Sequence, residues 1–306
     1  MRNAFAKSLT LLAKANPAVI LFYADIGNRL FDELKTEAPD RAVNAGIAEA
    51  NMASMAAGTA MMGLLPFIYT IAPFTTSRNF EQIKVDIAYQ NQSVVIVGTG
   101  SGLGYANLGP THQTFEDIAL MRSLPNMTIV CPCDAFELEA LMPKLLNYGG
   151  PVYFRIGKKG EPRVHQQLPS LEIGKVSILH EGEGVAILST GTVMPLAQAL
   201  HDALLQKGMT PELVSFHTVK PLDSDYLQNA PSRFERLITL EEHNVNGGFG
   251  SAVLEWYNER LIAMPVHRFG IPDRFIDQVG SVKDARVKAG LTAEGILHSL
   301  EAVLPS

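Results

Sequence analysis

Residues 46–69 read GIAEANMASMAAGTAMMGLLPFIY, and their pattern decides the fold. From Met52 to Leu65 there is no charge at all, the mark of a helix apolar on every side and therefore buried. The apolar run Leu65–Tyr69 then reads as a strand. A helix over Ile47–Met62 that runs almost directly into a strand is one step of an α/β alternation.

The alternation continues in both directions. Further strands are expected at Val19–Tyr23, Val94–Gly98, Met127–Cys131 and Val152–Arg155, with helices near Ala4–Lys14, Phe74–Tyr89, Thr114–Arg122 and Ala135–Leu146. A polar, proline-bearing stretch, KKGEPRVHQQLPSLEIG at 158–174, interrupts it. Strands then follow at Val185–Ser189, Leu213–Phe216, Leu237–Leu240 and Val266–Phe269, with helices near Met194–Gln206, Ser251–Ile262 and Thr292–Val303. Apolar strands separated by helices form parallel sheets covered on both sides. The expected fold class is α/β with two domains, each a mostly parallel sheet with helices on both faces. The expected boundaries are 1–160, a linker at 161–180, and 181–306, a division that suits a chain of 306 residues.

A formal charge of −6 with scattered basic residues argues against nucleic acid as a partner. No apolar run reaches the roughly 18 residues a membrane span needs, so no membrane partner is expected. The amphipathic start lacks signal-peptide character, and the expected compartment is the cytoplasm. Cys131 and Cys133, the two cysteines, are too few for a metal set and read as structural, so no metal ligand is assigned to this chain.

Glu49 stands at the start of the buried helix. Burial raises a carboxylate's pKa while a helix N-terminus stabilises the anion, and the sequence leaves that balance open. Such a residue is a candidate proton donor or relay. The segment Gly98-Thr99-Gly100-Ser101-Gly102-Leu103-Gly104 follows a strand, but Leu103 stands where G-x-G-x-x-G needs glycine, and no P-loop occurs. The segment reads instead as a loop that carries the chain over a site to His112. Glycines 247, 248 and 250, after Glu241-Glu242-His243-Asn244, read as a tight turn with close helix packing, with ligand binding as a minor candidate.

Taken together, GIAEANMAS, PFTTSRNFEQI, GLGYANLGPTHQ, DIALMRSLPNM and PVYFRIGKKG resemble, in order and spacing, the pyrimidine-binding and C-terminal domains of the transketolase family of thiamine-diphosphate enzymes. The resemblance covers essentially the whole chain. It implies thiamine diphosphate as cofactor and transfer of a two-carbon ketol unit from a ketose, a sugar phosphate or a specialised sugar, to an aldehyde. No G-D-G triplet occurs, so the resemblance is to the C-terminal half of a split transketolase. That implies a partner, an N-terminal transketolase subunit with the GDG…N motif, which holds the diphosphate through Mg2+ or Ca2+. An α2β2 heterotetramer is the family arrangement.

Residue by residue, the resemblance implies Glu49 as the acid bonded to the aminopyrimidine and Phe74 as the aromatic stacked on it. Asp25 and Ile26 would lie beside the cofactor. His112 would orient the ketose, and Arg155 would grip the substrate's terminal phosphate. The chain also departs from the family. Gly100 stands where a phosphate-binding histidine is usual, and Leu108 where an aspartate meets the substrate's C2 hydroxyl. Arg29 replaces a phosphate-contacting serine and adds a cation there. Arg2 is aligned with an N-terminal phosphate-binding arginine, and Lys158 and Lys159 read as solvating the linker. The rival readings are a superfamily enzyme acting on a 2-oxo acid and a non-catalytic structural or regulatory subunit.

Overall fold

The computed structural model describes residues 1–27, 29–277 and 279–301. In chain order the strands are β1 Val19–Tyr23, β2 Ala42–Asn44, β3 Leu65–Ile71, β4 Val95–Thr99, β5 Thr128–Val130, β6 Val152–Ile156, β7 Ser177–His180, β8 Gly184–Thr190, β9 Glu212–Ser215, β10 Thr218–Lys220, β11 Phe234–Asn244 and β12 Val266–Ile271. The α-helices are α1 Arg2–Ala15, α2 Asp32–Glu37, α3 Glu49–Met61, α4 Phe80–Gln82, α5 Asp117–Arg122, α6 Ala135–Leu145, α7 Met194–Gln206, α8 Ser224–Asn229, α9 Phe249–Glu259, α10 Val282–Lys288 and α11 Ala293–Leu300. The residues beyond Glu301, including the expected helix end at Val303, lie outside the described set.

Two sheets form, as the alternation predicts. The first runs β10-β5-β6-β4-β3-β1-β2 and the second β12-β11-β8-β9-β7. Each is parallel except for one edge strand: β10 pairs antiparallel with β5, and β7 with β9. Strand β10 lies beyond the expected linker, yet it completes the first sheet.

Period-2 geometry explains the layers. Phe22, Ile68 and Ile96 point to one face of the first sheet, where Met52, Ala53, Ala56 and Ala57 of α3 cover them. Their neighbours Leu21, Phe67 and Val97 point to the other face, against Phe5 and Leu9 of α1 and Leu138 and Leu141 of α6. The α3 cluster continues through Phe216 to Leu188 and α9, so the two sheets share apolar packing. Helices α7 and α11 cover the opposite face of the second sheet.

The helix expected over Phe74–Tyr89 is broken in two. A single 3-10 turn, Ala72–Phe74, is followed by non-helical turns, then α4, which continues as a π-helical segment over Ile83–Ala88. Within these turns the hydroxyls of Thr76 and Ser77 donate to the carbonyls of Ala72 and Pro73 at 2.7 and 3.0 Å, and the Asn79 side chain reaches the Glu49 carbonyl. The break places Phe74 and Arg78 at the carboxyl end of β3. Among the described residues, no helix is long and apolar enough to cross a membrane.

Candidate active site

In open parallel sheets the crevice for ligands lies outside the carboxyl ends of the strands. The segments that follow β1, β3 and β4 deliver the sequence-derived candidates to that edge. Glu49 opens α3 and is buried, with 6% of its surface exposed. Its Oε1 accepts from Arg78 Nη1 at 2.9 Å, and its backbone carbonyl accepts from Asn79 Nδ2 at 3.3 Å. Arg78 follows Phe74 by four residues, and its guanidinium carbon lies 3.9 Å from the centre of the Phe74 ring, a cation–π contact. The His112 ring meets Phe74 edge-on with centroids 5.2 Å apart. Glu49, Arg78, Phe74 and His112 therefore form one continuous arrangement built from three segments.

His112 Nδ1 is 2.8 Å from Thr111 Oγ1, which leaves Nε2 for a ligand. Burial, then the charges of Arg78 and Lys158, lower its pKa, so the neutral ring dominates near pH 7. The ring also lies 6.0 Å from that of Tyr105, and Lys158 Nζ sits 3.9 Å over Tyr105. Burial first, then the charges of Arg2 and Lys159, lower the pKa of Lys158.

Asp25 and Asn44 leave the ends of β1 and β2 and bond to each other. Asn44 Nδ2 donates to Asp25 Oδ1 at 3.0 Å, and the Asp25 amide donates to Asn44 Oδ1 at 3.1 Å. Asp25 and Arg29 both take left-handed backbone, with φ of 45° and 61°, a conformation costly for side-chain-bearing residues. Ile26 is half-buried and packs on the α1 side of the sheet, and Arg29 is exposed. No hydrogen bond among the described residues ties these three side chains to Glu49, Phe74 or His112.

Arg155 stands apart from the expected phosphate grip. It is 2% exposed, and Asp117 chelates its fork, Nε to Oδ2 at 2.7 Å and Nη2 to Oδ1 at 3.2 Å. Nη2 also donates to the Glu242 carbonyl at 3.0 Å, and the Tyr153 hydroxyl donates to Asp117 Oδ2 at 2.6 Å. Burial alone would raise the Asp117 pKa, but the Arg155 charge overrides it and holds the carboxyl below its usual range. The guanidinium faces this internal carboxylate, and its bond to the Glu242 carbonyl joins β6 of the first sheet to β11 of the second.

Geometry also explains the glycine segment. Gly100 has φ 68°, and a Cβ there would overlap the Tyr105 ring, so only glycine leaves room for that ring. Gly248 lets Glu241 approach the start of α9, where its carboxylate accepts from the Phe249 and Gly250 amides at 2.6 and 2.9 Å. The tight-turn reading of these glycines accounts for the contact. Sequence reasoning missed Arg78 and Tyr105. No local spacing rule signals Arg78, because the stretch 75–79 between it and Phe74 is turn and not helix.

A buried carboxylate, a half-buried aromatic and an imidazole thus stand together at the strand ends of a mostly parallel sheet in an α/β protein. Comparison with known proteins names the group. The transketolase pyrimidine-binding domain matches residues 1–162, and the transketolase C-terminal domain matches 174–296. The chain belongs to the transketolase family. It is similar to the 6-deoxy-6-sulfo-D-fructose transketolase subunit SqwH of Clostridium sp., 32% identical over 99% of this chain and 94% of that protein. It is 33% identical to an apulose-4-phosphate transketolase subunit of Phocaeicola vulgatus, over 96% of this chain and 94% of that one. A solved structure described as a split gene transketolase, inactive beta4 tetramer, superposes with TM-score 0.89 at 34% identity, over 99% of this chain and 97% of that chain. The chain spans about half the length of the 1-deoxy-D-xylulose-5-phosphate synthases it also matches.

Proposed function

We propose that this chain is the pyrimidine-holding subunit of a two-chain, thiamine-diphosphate-dependent transketolase. In that enzyme a two-carbon ketol unit passes from a ketose with an anionic end to an aldehyde acceptor. The observation that carries the reading is the continuous arrangement of Glu49, Arg78, Phe74 and His112. The residues suit the cofactor: Glu49 Oε1 is held by Arg78, Oε2 forms no hydrogen bond among the described residues, and Phe74 offers a flat apolar surface beside it. When bound, thiamine diphosphate supplies the electron sink for breaking a carbon–carbon bond next to a carbonyl.

The roles of the side chains follow from their positions. Glu49 holds or moves a proton at Oε2 toward the pyrimidine ring, and Phe74 keeps water from that ring. His112 donates or accepts at Nε2 to orient a substrate oxygen. Asp25 and Ile26 flank the cofactor at the end of β1. Arg155, locked to Asp117, holds the architecture. We assign the substrate's anionic end to Lys158, with Arg2, Lys159 and Arg29 adding charge. Two relatives named for a sulfo sugar and a phosphate sugar support an anionic substrate.

A partner chain of the diphosphate-binding type, with Mg2+ or Ca2+ held on its side and an α2β2 assembly, completes the proposal. Ile47, Met62 and Tyr89, each at least 80% exposed near α3, offer apolar surface for assembly. The test is turnover of ketose and aldehyde by the chain mixed with a partner that carries GDG…N, thiamine diphosphate and magnesium. Glu49→Gln is expected to lower kcat by about 10²- to 10⁴-fold, the range for losing general acid–base help. Near-normal turnover by that variant sinks the proposal, and carbon dioxide release from a 2-oxo acid without ketose activity would transfer it to the rival superfamily chemistry.

A further inference from the structure

The loop that carries Tyr105 and His112 belongs to the first domain in sequence but rests on the second. Its neck closes where Gly102 bridges Thr114, the Thr114 amide donating to the Gly102 carbonyl at 3.1 Å. A 3-10 turn, Ala106–Leu108, lies between those points. A turn that short takes its orientation from what it packs against. Leu103 and Ala106, both buried, pack with Ile271, Ala285 and Leu291 of the second domain.

The carboxyl end of β11 holds both sides of that neck. Glu242, 2% exposed, accepts from the Leu103 amide through Oε1 at 2.8 Å, and its Oε2 accepts from Arg286 Nε of α10 at 2.6 Å. Beyond the loop, the Asn244 amide donates to the Phe115 carbonyl at 2.9 Å, and His243 Nε2 accepts from the Ala119 amide at 3.3 Å. One strand end therefore meets the chain before and after the loop. At Gly102, with φ of 60°, a Cβ would stand 2.5 Å from Glu242 Oε1, so the close approach of the carboxylate requires glycine there.

We propose that Glu242 is a positioning residue: through Leu103 it sets the loop so that His112 stays against Phe74, and through Arg286 it ties that setting to the second domain. The inference rests on the transketolase-type reading for the substrate that His112 orients. Hydrogen bonds to a carboxylate are stronger than neutral ones, which suits a contact that must fix a loop with little regular structure of its own. Glu242 acts through the loop and takes no part in proton transfer. A displacement of about 1 Å in a group that orients substrate costs on the order of 10²-fold in rate, so a contact remote from the chemistry is enough to govern it.

The test uses the full chain, alone for hydrogen–deuterium exchange and assembled with a GDG…N partner, thiamine diphosphate and magnesium for kinetics, well below the melting temperature. Glu242→Ala should speed exchange across 100–108 and lower kcat/KM for the ketose by about 10²-fold, while the affinity for thiamine diphosphate, which rests on Glu49 and Phe74, stays unchanged. Glu242→Gln keeps an oxygen for the Leu103 amide and should recover most of both readouts. Gly102→Ala, which crowds Oε1 from the loop side, should reproduce the defect with Glu242 intact. Arg286→Met removes only the outer partner and should move the same two readouts less, and it decides the matter if Glu242→Ala fails to fold. Normal kcat/KM in these variants, or a lowered Tm with unaltered exchange at 100–108, overturns the inference and leaves Glu242 an ordinary contact between domains. Exchange is read without substrate, so a lack of ketose turnover would sink the functional reading while the loop's protection still decides whether Glu242 holds it.

Discussion

Replacing Arg155 by leucine separates two tasks that the sequence alone could not tell apart. The structure buries its guanidinium against Asp117, with side-chain exposures of 1% and 0%. Removing one partner of a buried, hydrogen-bonded pair strands the other charge and costs about 3–5 kcal/mol. For a domain of this size each kcal/mol moves Tm by about 2–4 °C, so Arg155→Leu should melt roughly 6–20 °C below the parent. The Asp117 carboxyl is held below its ordinary pKa, so its contribution is present above the unfolded value and is lost as pH falls through the folded one. In the variant that carboxyl is buried without its cation and gains from protonation, so the deficit should shrink as pH drops toward 4. Asp117→Leu combined with Arg155→Leu should recover much of the loss, because replacing both partners removes the stranded charge. Thermal denaturation at several pH values, with substrate kinetics on the assembled enzyme, measures all of this. An Arg155→Leu chain with unchanged Tm and a raised KM for an anionic ketose would refute the internal tie and restore the phosphate grip.

Three further outcomes follow from particular distances and environments. Gly100→Ala drives a methyl into the Tyr105 ring at φ 68°, and should cost about 1–3 kcal/mol, partly relieved when Tyr105 is also cut to alanine; denaturant titration reads it. Burial pushes the Glu241 pKa up to about 7 despite its two amide bonds, so its protonated form favours the fold below the unfolded pKa and that advantage is lost as pH rises through 7. The parent's Tm should therefore fall as pH rises from 5 to 8, and Glu241→Gln, whose side-chain nitrogen cannot accept from one of the two backbone amides, should lose that pH dependence while starting from a lower Tm; parallel melting curves for the two would contradict this. Lys158→Ala should raise KM for an anionic ketose by about tenfold, the effect of losing roughly 1.4 kcal/mol of binding, with kcat little changed and the salt dependence of KM reduced; an unchanged KM would remove Lys158 from the substrate's path.

Much of the architecture was legible before any coordinates. The charge-free run of α3 and the apolar cores of β1, β3, β4 and β8 carry their own periodicity, so element type and the two-sheet plan follow from neighbours along the chain. Strands β2, β7 and β10 escaped because they are three or four residues long and exist through pairing with a sheet edge. The helix expected over Phe74–Tyr89 is interrupted by turns at 75–79, where the Asn79 side chain bonds the Glu49 carbonyl, a partner thirty residues away along the chain. Helix α10, with its Ser281–Asp284 capping box, had a local signal that was passed over.

The sequence by itself determined the residue types of the crevice, the family resemblance and the alternation that builds the sheets, since all three are encoded in order and spacing. Only the tertiary structure decided who partners whom. It set Arg78 between Glu49 and Phe74, turned Arg155 inward to Asp117, filled the space beside Gly100 with Tyr105, and brought His165 against Glu137. Those pairings lie between residues far apart along the chain, and their energies depend on burial and distance, which spacing along a chain does not contain.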